Sequence, residues 1–456
     1  MEQFTGSGLE IDWSPHSFED PGGRLFWKDG QVYRALRGKS AEAFLEIESR
    51  GLLDRLKGWG VVGSVRADFE IPEYDIVVSH QVIPPSPLVS EWSPEMLRDA
   101  AVLFCELSVH LAEHGFQLQD SHGWNVMFDQ ANPVYIDFAS IIPLGQGEPW
   151  KPLHEFVNCF LHPIRMIENH AADYAFFLLG RDNWVSLDKT IPRFNSMQFR
   201  FAERRQKKKY RRWTEIQNAG GPQSAIRLSK LLLNEVSCSS FPHVSTRWSD
   251  YAASFPDSDF SDRSGWNQKQ ASVFELLQRV DTGTVLDIGC NTGWYSVLAA
   301  RMGHSLASLD TDRSCIDALY TYSKERRLPI TPVVGSFFAP VISHGPRFWD
   351  SLEKRFSSDH TMMLALIHHL FFKQGYDVQS IVRKASEVTK KTLILEYIPF
   401  NDYWVQQWGV PHRADEYRIE CWLSELKQEF REIDIVPSEK SHESSDVERS
   451  LIFARR

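Results

Sequence analysis

The stretch "TVLDIGCNTGWYSVLAARMGHSLASLDTD", from Thr284 to Asp312, constrains the fold more than any other part of the chain. A short apolar run, a turn with two glycines, a helical run and a second apolar run ending in an acid make a strand–turn–helix–strand unit. Two such strands must run parallel, and a parallel pair needs helices over its faces. The alternation continues through "SCIDALYTYSKERR", "ITPVV", "TMMLALI", "YDVQSIVRKASEVT", "TLILEYI", "EYRIECWLSELKQEF", "EIDIVPS" and "RSLIFARR". The expected fold is therefore α/β, a Rossmann-like, mostly parallel sheet of seven strands at the C-terminus, over residues 266–456.

The glycine turn restricts the ligand. A dinucleotide fingerprint needs glycine at three fixed places, so that backbone can approach a pyrophosphate and the helix can pack on the strand. Counted from Gly289, the second and third places hold Asn291 and Trp294. S-adenosylmethionine has no phosphate and makes different demands. An acid at the strand end, Asp287, is expected to receive its ammonium, and the turn Gly289, Asn291, Gly293 to face its carboxylate. Asp310, ending the second strand, is expected to accept both ribose hydroxyls. Here the sequence resembles the class I S-adenosylmethionine-dependent methyltransferases, whose first motif reads much as "LDIGCNTG" does. The resemblance covers roughly Trp266 to Arg456 and implies S-adenosyl-L-methionine as cofactor. After the third strand, where many members carry an acid near the adenine, this chain has "VVGSFFAP" and offers Ser336.

The fourth strand is read as ending in "LALIHHL", which brings His368 and His369 to the carboxyl edge where ligands of such sheets bind. A histidine there can take a proton from an acceptor hydroxyl or amine. The alternative is that one caps the next helix while the other packs. Glu396, followed by Tyr397, is the second candidate for catalysis.

The first half carries "LQDSHGWNVMFDQANPVYIDFASI". Asp120, Asn125 five residues on, and Asp137 after a strand–turn–strand have the spacing of a kinase catalytic loop. In kinases the first Asp orients the hydroxyl, while the Asn and the last Asp hold magnesium. Leu118 stands where that loop has histidine, Ala139 where it has glycine, and Arg34 in "DGQVYRAL" where a strand lysine grips phosphate. An α+β kinase-like domain, inactive and reused for acceptor binding or docking, is expected. Together with "EWSPEMLRDAA", "GEPWKPLHEFVNCFLHP" and "LALIHHL", these stretches resemble a two-part bacterial methyltransferase family that includes the rhizobial host-specificity nodulation proteins, the NoeA group. That resemblance implies a saccharide or lipo-oligosaccharide acceptor.

Length and composition bound the rest. At 456 residues the chain exceeds one ordinary core, and it is divided as 1–212 kinase-like, 213–265 helical linker or lid, and 266–456 cofactor-binding. A net charge of −10 argues against a nucleic-acid partner. No apolar run reaches membrane-span length and no signal segment opens the chain. Six scattered cysteines without a CxxC pair fit reduced thiols, no metal site, and a cytoplasmic protein. The run "FRFAERRQKKKYRRW" places eight basic residues between Arg200 and Arg212, read either as a solvated helix face or as a platform for an acidic partner. The expected function is methyl transfer from S-adenosylmethionine; a bifunctional kinase-methyltransferase and a non-catalytic cofactor-binding regulator are the rivals. Oligomeric state is not written in the sequence.

Overall fold

A computed structural model describes residues 11–17, 20–182, 197–242, 244, 246, 260–338, 350–408, 411–441 and 444–456. The chain forms two compact units, the first reaching His243 and the second built from residues between Val244 and Arg456.

The first unit opens with an antiparallel five-stranded sheet, β1 (Asp12–Trp13), β2 (Gly23–Lys28), β3 (Gln31–Leu36), β4 (Ser64–Arg66) and β5 (Ile76–His80), in the order β1-β2-β3-β5-β4. Helices α1 (Lys39–Ser49) and α2 (Leu53–Gly58) follow β3, and the long α3 (Pro94–Glu113) follows β5. Ser93 caps α3 through the amide of Met96, with proline in its first turn where no amide partner is needed. Two small hairpin-like pairs come next: β6 (Phe116–Leu118) with β9 (Ile141–Pro143), and β7 (Val126–Asp129) with β8 (Asn132–Tyr135). The unit ends in helices α4 (Leu153–Phe156), α5 (His162–Glu168), α6 (Ala172–Asp182), α7 (Met197–Ala219) and α8 (Gly221–Ser237). Helix α7 runs through Arg212, where the linker was expected to start.

The second unit contains α9 (Gln268–Gln278), β10 (Thr284–Ile288), α10 (Trp294–Arg301), β11 (Ser305–Asp310), α11 (Arg313–Arg326), β12 (Ile330–Val334), α12 (Leu352–Phe356), β13 (Ser358–Met363), α13 (Val378–Val388), β14 (Thr389–Tyr397), α14 (Tyr403–Gln406), α15 (Ile419–Glu429), β15 (Glu432–Ser441) and β16 (Ser444–Arg455). Its seven strands lie in the order β12-β11-β10-β13-β14-β16-β15. The first five pair in parallel, and β16 inserts antiparallel between β14 and β15. All five parallel strands therefore end at one edge, and the order reverses direction at β10, the place where such sheets hold ligands.

Period-two alternation sorts the strand side chains into two cores. Leu286 and Ile288 of β10 join Leu393 and Leu395 of β14 on one face, while Val285 joins Met362 and Ile394 on the other, against α9 and α10. Asp287 and Glu396 share the second parity, so the sheet sends both carboxyls inward under helices. One expectation fails here: β13 stops at Met363, so "LALIHHL" is not its end. Ala365 turns the chain at φ +51°, and the two histidines lie in a helical turn.

Candidate active site

The turn after β10 is shaped by its backbone. Gly289 has φ +74°, Asn291 +53° and Gly293 +88°, the left-handed region that glycine and asparagine enter most cheaply. The amides of Gly289 and Cys290 donate to the carbonyl of Leu309 at 2.8 and 3.1 Å, tying the turn to the end of β11. A Cβ on Gly293 would come within 2.6 Å of Leu319 Cδ1, and one on Gly289 within 3.2 Å of Leu366 Cδ1. Both glycines are thus required by packing and dihedral angle, before any ligand is considered.

Asp310 sits beside this turn. Its Oδ2 accepts the amide of Asn291 and its Oδ1 the amide of Asp312, both at 2.8 Å. Burial raises its pKa, and these amides oppose the rise. Each carboxylate oxygen has two lone-pair directions, so acceptor capacity remains for hydroxyl groups. Ser336 follows β12 and is half-buried; the neighbouring amide of Gly335 donates to the carbonyl of Asp310 at 2.8 Å.

Asp287 is only 2% exposed. Ser296 of α10 donates its hydroxyl to Asp287 Oδ2 at 2.6 Å, and Ser308 donates to Ser296 at 2.8 Å. Burial pushes the Asp287 carboxyl up to about 7. Its link to Ser296 ties the end of β10 to the first turns of α10.

His368 and His369 lie together, with ring centroids 4.3 Å apart, and both pack on Trp408. The His368 ring is parallel to the indole within 3° at 5.3 Å. His368 is buried, its Nδ1 has no hydrogen-bond partner among the described residues, and burial drives its pKa well below the usual histidine value. His369 is half-buried.

Glu396 is fully buried and fully used. Its Oε2 accepts the amide of Ala365 at 2.7 Å and lies 2.6 Å from Lys269 Nζ; its Oε1 accepts the hydroxyl of Ser438 at 2.7 Å. Burial acts to raise its pKa, but Lys269, Ser438 and Arg449 together oppose it and the net shift is downward. An ionised, fully partnered carboxylate makes a poor proton acceptor. What it does is hold the left-handed turn at Ala365, from which the histidine segment departs. Arg449, which binds Asp402 at 2.9 Å and Glu439 at 3.0 Å, continues this polar network. Lys269, Ser438 and Arg449 were missed in the sequence, because no local spacing links them. The parity that Glu396 shares with Ile394, opposite Leu395, was the available sign.

In the first unit, Asp120, Asn125 and Asp137 do come together. The Asn125 amide donates to Asp120 Oδ1 at 2.8 Å and to Asp137 Oδ2 at 3.4 Å, and the Ser140 hydroxyl donates to Asp120 at 2.8 Å. Arg34, on β3, places one guanidinium nitrogen 2.8 Å from both Asp137 Oδ1 and Asp20 Oδ2. Desolvation raises the pKa of Asp20 and Asp120, and Asp137 raises both further. Among the described residues no three His, Cys, Asp or Glu side chains are placed to hold a metal ion. Of the expected linker or lid, 213–265, the end of α7 and all of α8 are described, while residues 243, 245 and 247–259 lie outside the described residues. The described end of the lid packs Phe260 and Trp266 on Trp294, at the start of α10.

No protein-family model matches the chain. Solved structures overlap parts of it: the bifunctional kinase-methyltransferase WbdD, 18% identical over 42% of this chain and 39% of that one, TM-score 0.30; and magnesium protoporphyrin IX methyltransferase from Synechocystis PCC 6803 with bound SAH, 15% identical over 41% and 82%, TM-score 0.30. TehB from Haemophilus influenzae is 15% identical over 46% of this chain and 67% of its own, TM-score 0.28. These overlaps are partial, and the reading of the site rests on its own residues. A similarity of another kind spans both halves: nodulation protein NoeA of Rhizobium meliloti (strain 1021) is 26% identical over 455 residues, 93% of this chain and 94% of its own. Over nearly the full length of both proteins, the chain groups with NoeA, as the motifs in its two halves lead one to expect.

Proposed function

We propose that the second unit binds S-adenosyl-L-methionine and transfers its methyl group to an acceptor hydroxyl or amine. The observation that carries this reading is the pairing of the Gly289–Gly293 turn with the Asp310 carboxylate, side by side where the strand order reverses. The bound cofactor would supply an electrophilic methyl on a sulfonium. Asp310 would accept the ribose hydroxyls, and the amides at the start of α10 would face the carboxylate of the methionine moiety. Asp287, held by Ser296, would receive the ammonium of the methionine moiety, directly or through water.

His368 is the favoured proton acceptor. Among the described residues its Nδ1 is buried and unpartnered, so its lone pair is open to a hydrogen bond from an acceptor hydroxyl; burial keeps the ring neutral and lowers its basicity, so the proton would pass to it only as the methyl group is transferred. Glu396 acts behind it, through Ala365. The acceptor is proposed to be a saccharide or lipo-oligosaccharide, supported only by the relationship to a nodulation protein. The first unit is proposed to be a kinase-like scaffold without phosphoryl transfer, supported by the cation that Arg34 already supplies to Asp20 and Asp137.

The test is incubation with methyl-labelled cofactor and extracts of rhizobial cells, followed by separation of labelled lipids, glycans and proteins. Label should enter one class of glycan-bearing product. His368→Gln should slow that labelling about a hundredfold or more, the usual worth of a general base, while cofactor affinity stays within twofold. Absence of labelled product in any fraction would contradict the reading, and unchanged turnover in His368→Gln would remove the base.

A further inference from the structure

The basic run in α7 is not used by the methyl-transfer reading, and its geometry differs from that of an ordinary solvated face. Trp213 and Ile216 are buried on one side of the helix. Gln217 on that side donates to the carbonyl of Trp150 at 2.6 Å, and Lys209 pairs with Glu235 of α8 at 2.6 Å. At 100° per residue, Arg204, Arg205, Lys208, Arg211 and Arg212 fall within an arc of about 120° on the other side. All five are exposed, and none has an ion pair among the described residues.

Ordinary solvated helix faces interleave charges of both signs at i and i+4, because like charges so placed repel. Arg204 and Lys208 are an i,i+4 pair of like charge, as are Lys208 and Arg212, and Glu215 is the exposed acid within the arc, beside its C-terminal end. An external anion would relieve that repulsion. The crest of a helix is convex and brings no polar groups together around a point, which excludes a small anion held in a pocket. A long polyanion would have to run on past the crest over a chain whose net charge is −10. An anionic bilayer imposes no register of its own, and its lipids rearrange to suit five flexible cations.

We propose that this face of α7 is a docking surface for an anionic lipid bilayer, held by charge without insertion. The described residues contain no helix long and apolar enough to cross a membrane, so attachment would be peripheral and reversible. Each basic residue near such a surface contributes roughly a fivefold gain in partitioning, and the effect fades within a Debye length.

The full chain is sedimented with large vesicles of phosphatidylcholine containing 30% phosphatidylglycerol, at about 50 mM salt. The expected result is co-sedimentation that is absent with pure phosphatidylcholine and lost at about 0.5 M salt. A variant with Arg204, Arg205, Lys208, Arg211 and Arg212 all changed to Gln should partition at least a hundredfold less. If that variant is poorly folded by melting temperature, the pair Lys208→Glu and Arg211→Glu serves instead, with the same loss expected. The proposal is overturned if wild type fails to bind the anionic vesicles, if a folded variant binds them equally, or if a duplex RNA competes the protein off vesicles at equal charge. It is independent of the methyl-transfer reading, because vesicle binding needs no cofactor.

Discussion

At the scale of single residues, buried ionisable groups stand in different surroundings. Glu396 and Lys269 form a closed pair that holds a turn, whereas among the described residues His368 has an unpartnered nitrogen, the contrast on which the proposed roles rest. His80 is a third case: desolvation, then the Arg34 charge, lower its pKa to about 3, and Ser64 Oγ lies 2.8 Å from its Nδ1. A histidine whose folded pKa is depressed costs stability as pH falls, since only the unfolded chain takes up the proton below about pH 6.5. The loss should grow by about 1.4 kcal/mol per pH unit between pH 6.5 and the folded value. Denaturant melts of wild type and His80→Gln at pH 7.5 and 5 should therefore show the stability difference moving by about 2 kcal/mol against wild type at the lower pH; an unchanged difference would mean His80 is not held neutral. Of these residues, His368 was legible as a candidate from its position after an apolar run, while the burial of Asp287 was hidden. Strand parity places it under α10, beside Ser296.

At the scale of elements, the sequence was read best where period and punctuation agree. The apolar runs of β10, β11, β12 and β14 and the helices between them lie where alternation placed them, because both faces of a central parallel strand must be apolar. The error came at β13, where an unbroken run, "TMMLALI", gives no punctuation and the strand ends inside it. Its end is set by a tertiary contact, the Glu396 carboxylate drawing in the Ala365 amide, which no local pattern encodes. The adjacent-residue argument that would point His368 and His369 to opposite sides fails with it. The glycine turn allows a direct check of element packing. Gly293→Ala sets a Cβ into Leu319 and forces a left-handed alanine, so it should cost about 2–4 kcal/mol of stability through overpacking and strain. A thermal shift under about 3 °C would show that the contact relaxes easily.

At the scale of the whole molecule, the chain carries a seven-stranded mixed sheet in its second unit and, in its first, Asp120, Asn125 and Asp137 at the spacing of a kinase catalytic loop. The division near the middle was visible in the change from scattered motifs to regular alternation. The surroundings of the loop in the first unit were legible only in part: Arg34 stands where a strand lysine was expected, but its bridging of Asp20 and Asp137 depends on a sheet register that spacing does not give. With that guanidinium in place, wild type should show no ATP- or magnesium-dependent change in tryptophan fluorescence at millimolar concentrations, and Asp137→Asn should leave methyl transfer within a fewfold of wild type. ATP hydrolysis that disappears in Asp137→Asn would show instead that the first unit is an active kinase. The central claim concerns the second unit, and calorimetric titration of S-adenosylhomocysteine into wild type and Asp310→Ala tests it most directly. Loss of two charge-assisted hydrogen bonds should weaken binding by about 1.5–3 kcal/mol, ten- to a hundredfold. Wild-type binding in the micromolar range with that loss is the predicted result; no binding to wild type, or equal binding by Asp310→Ala, would contradict it.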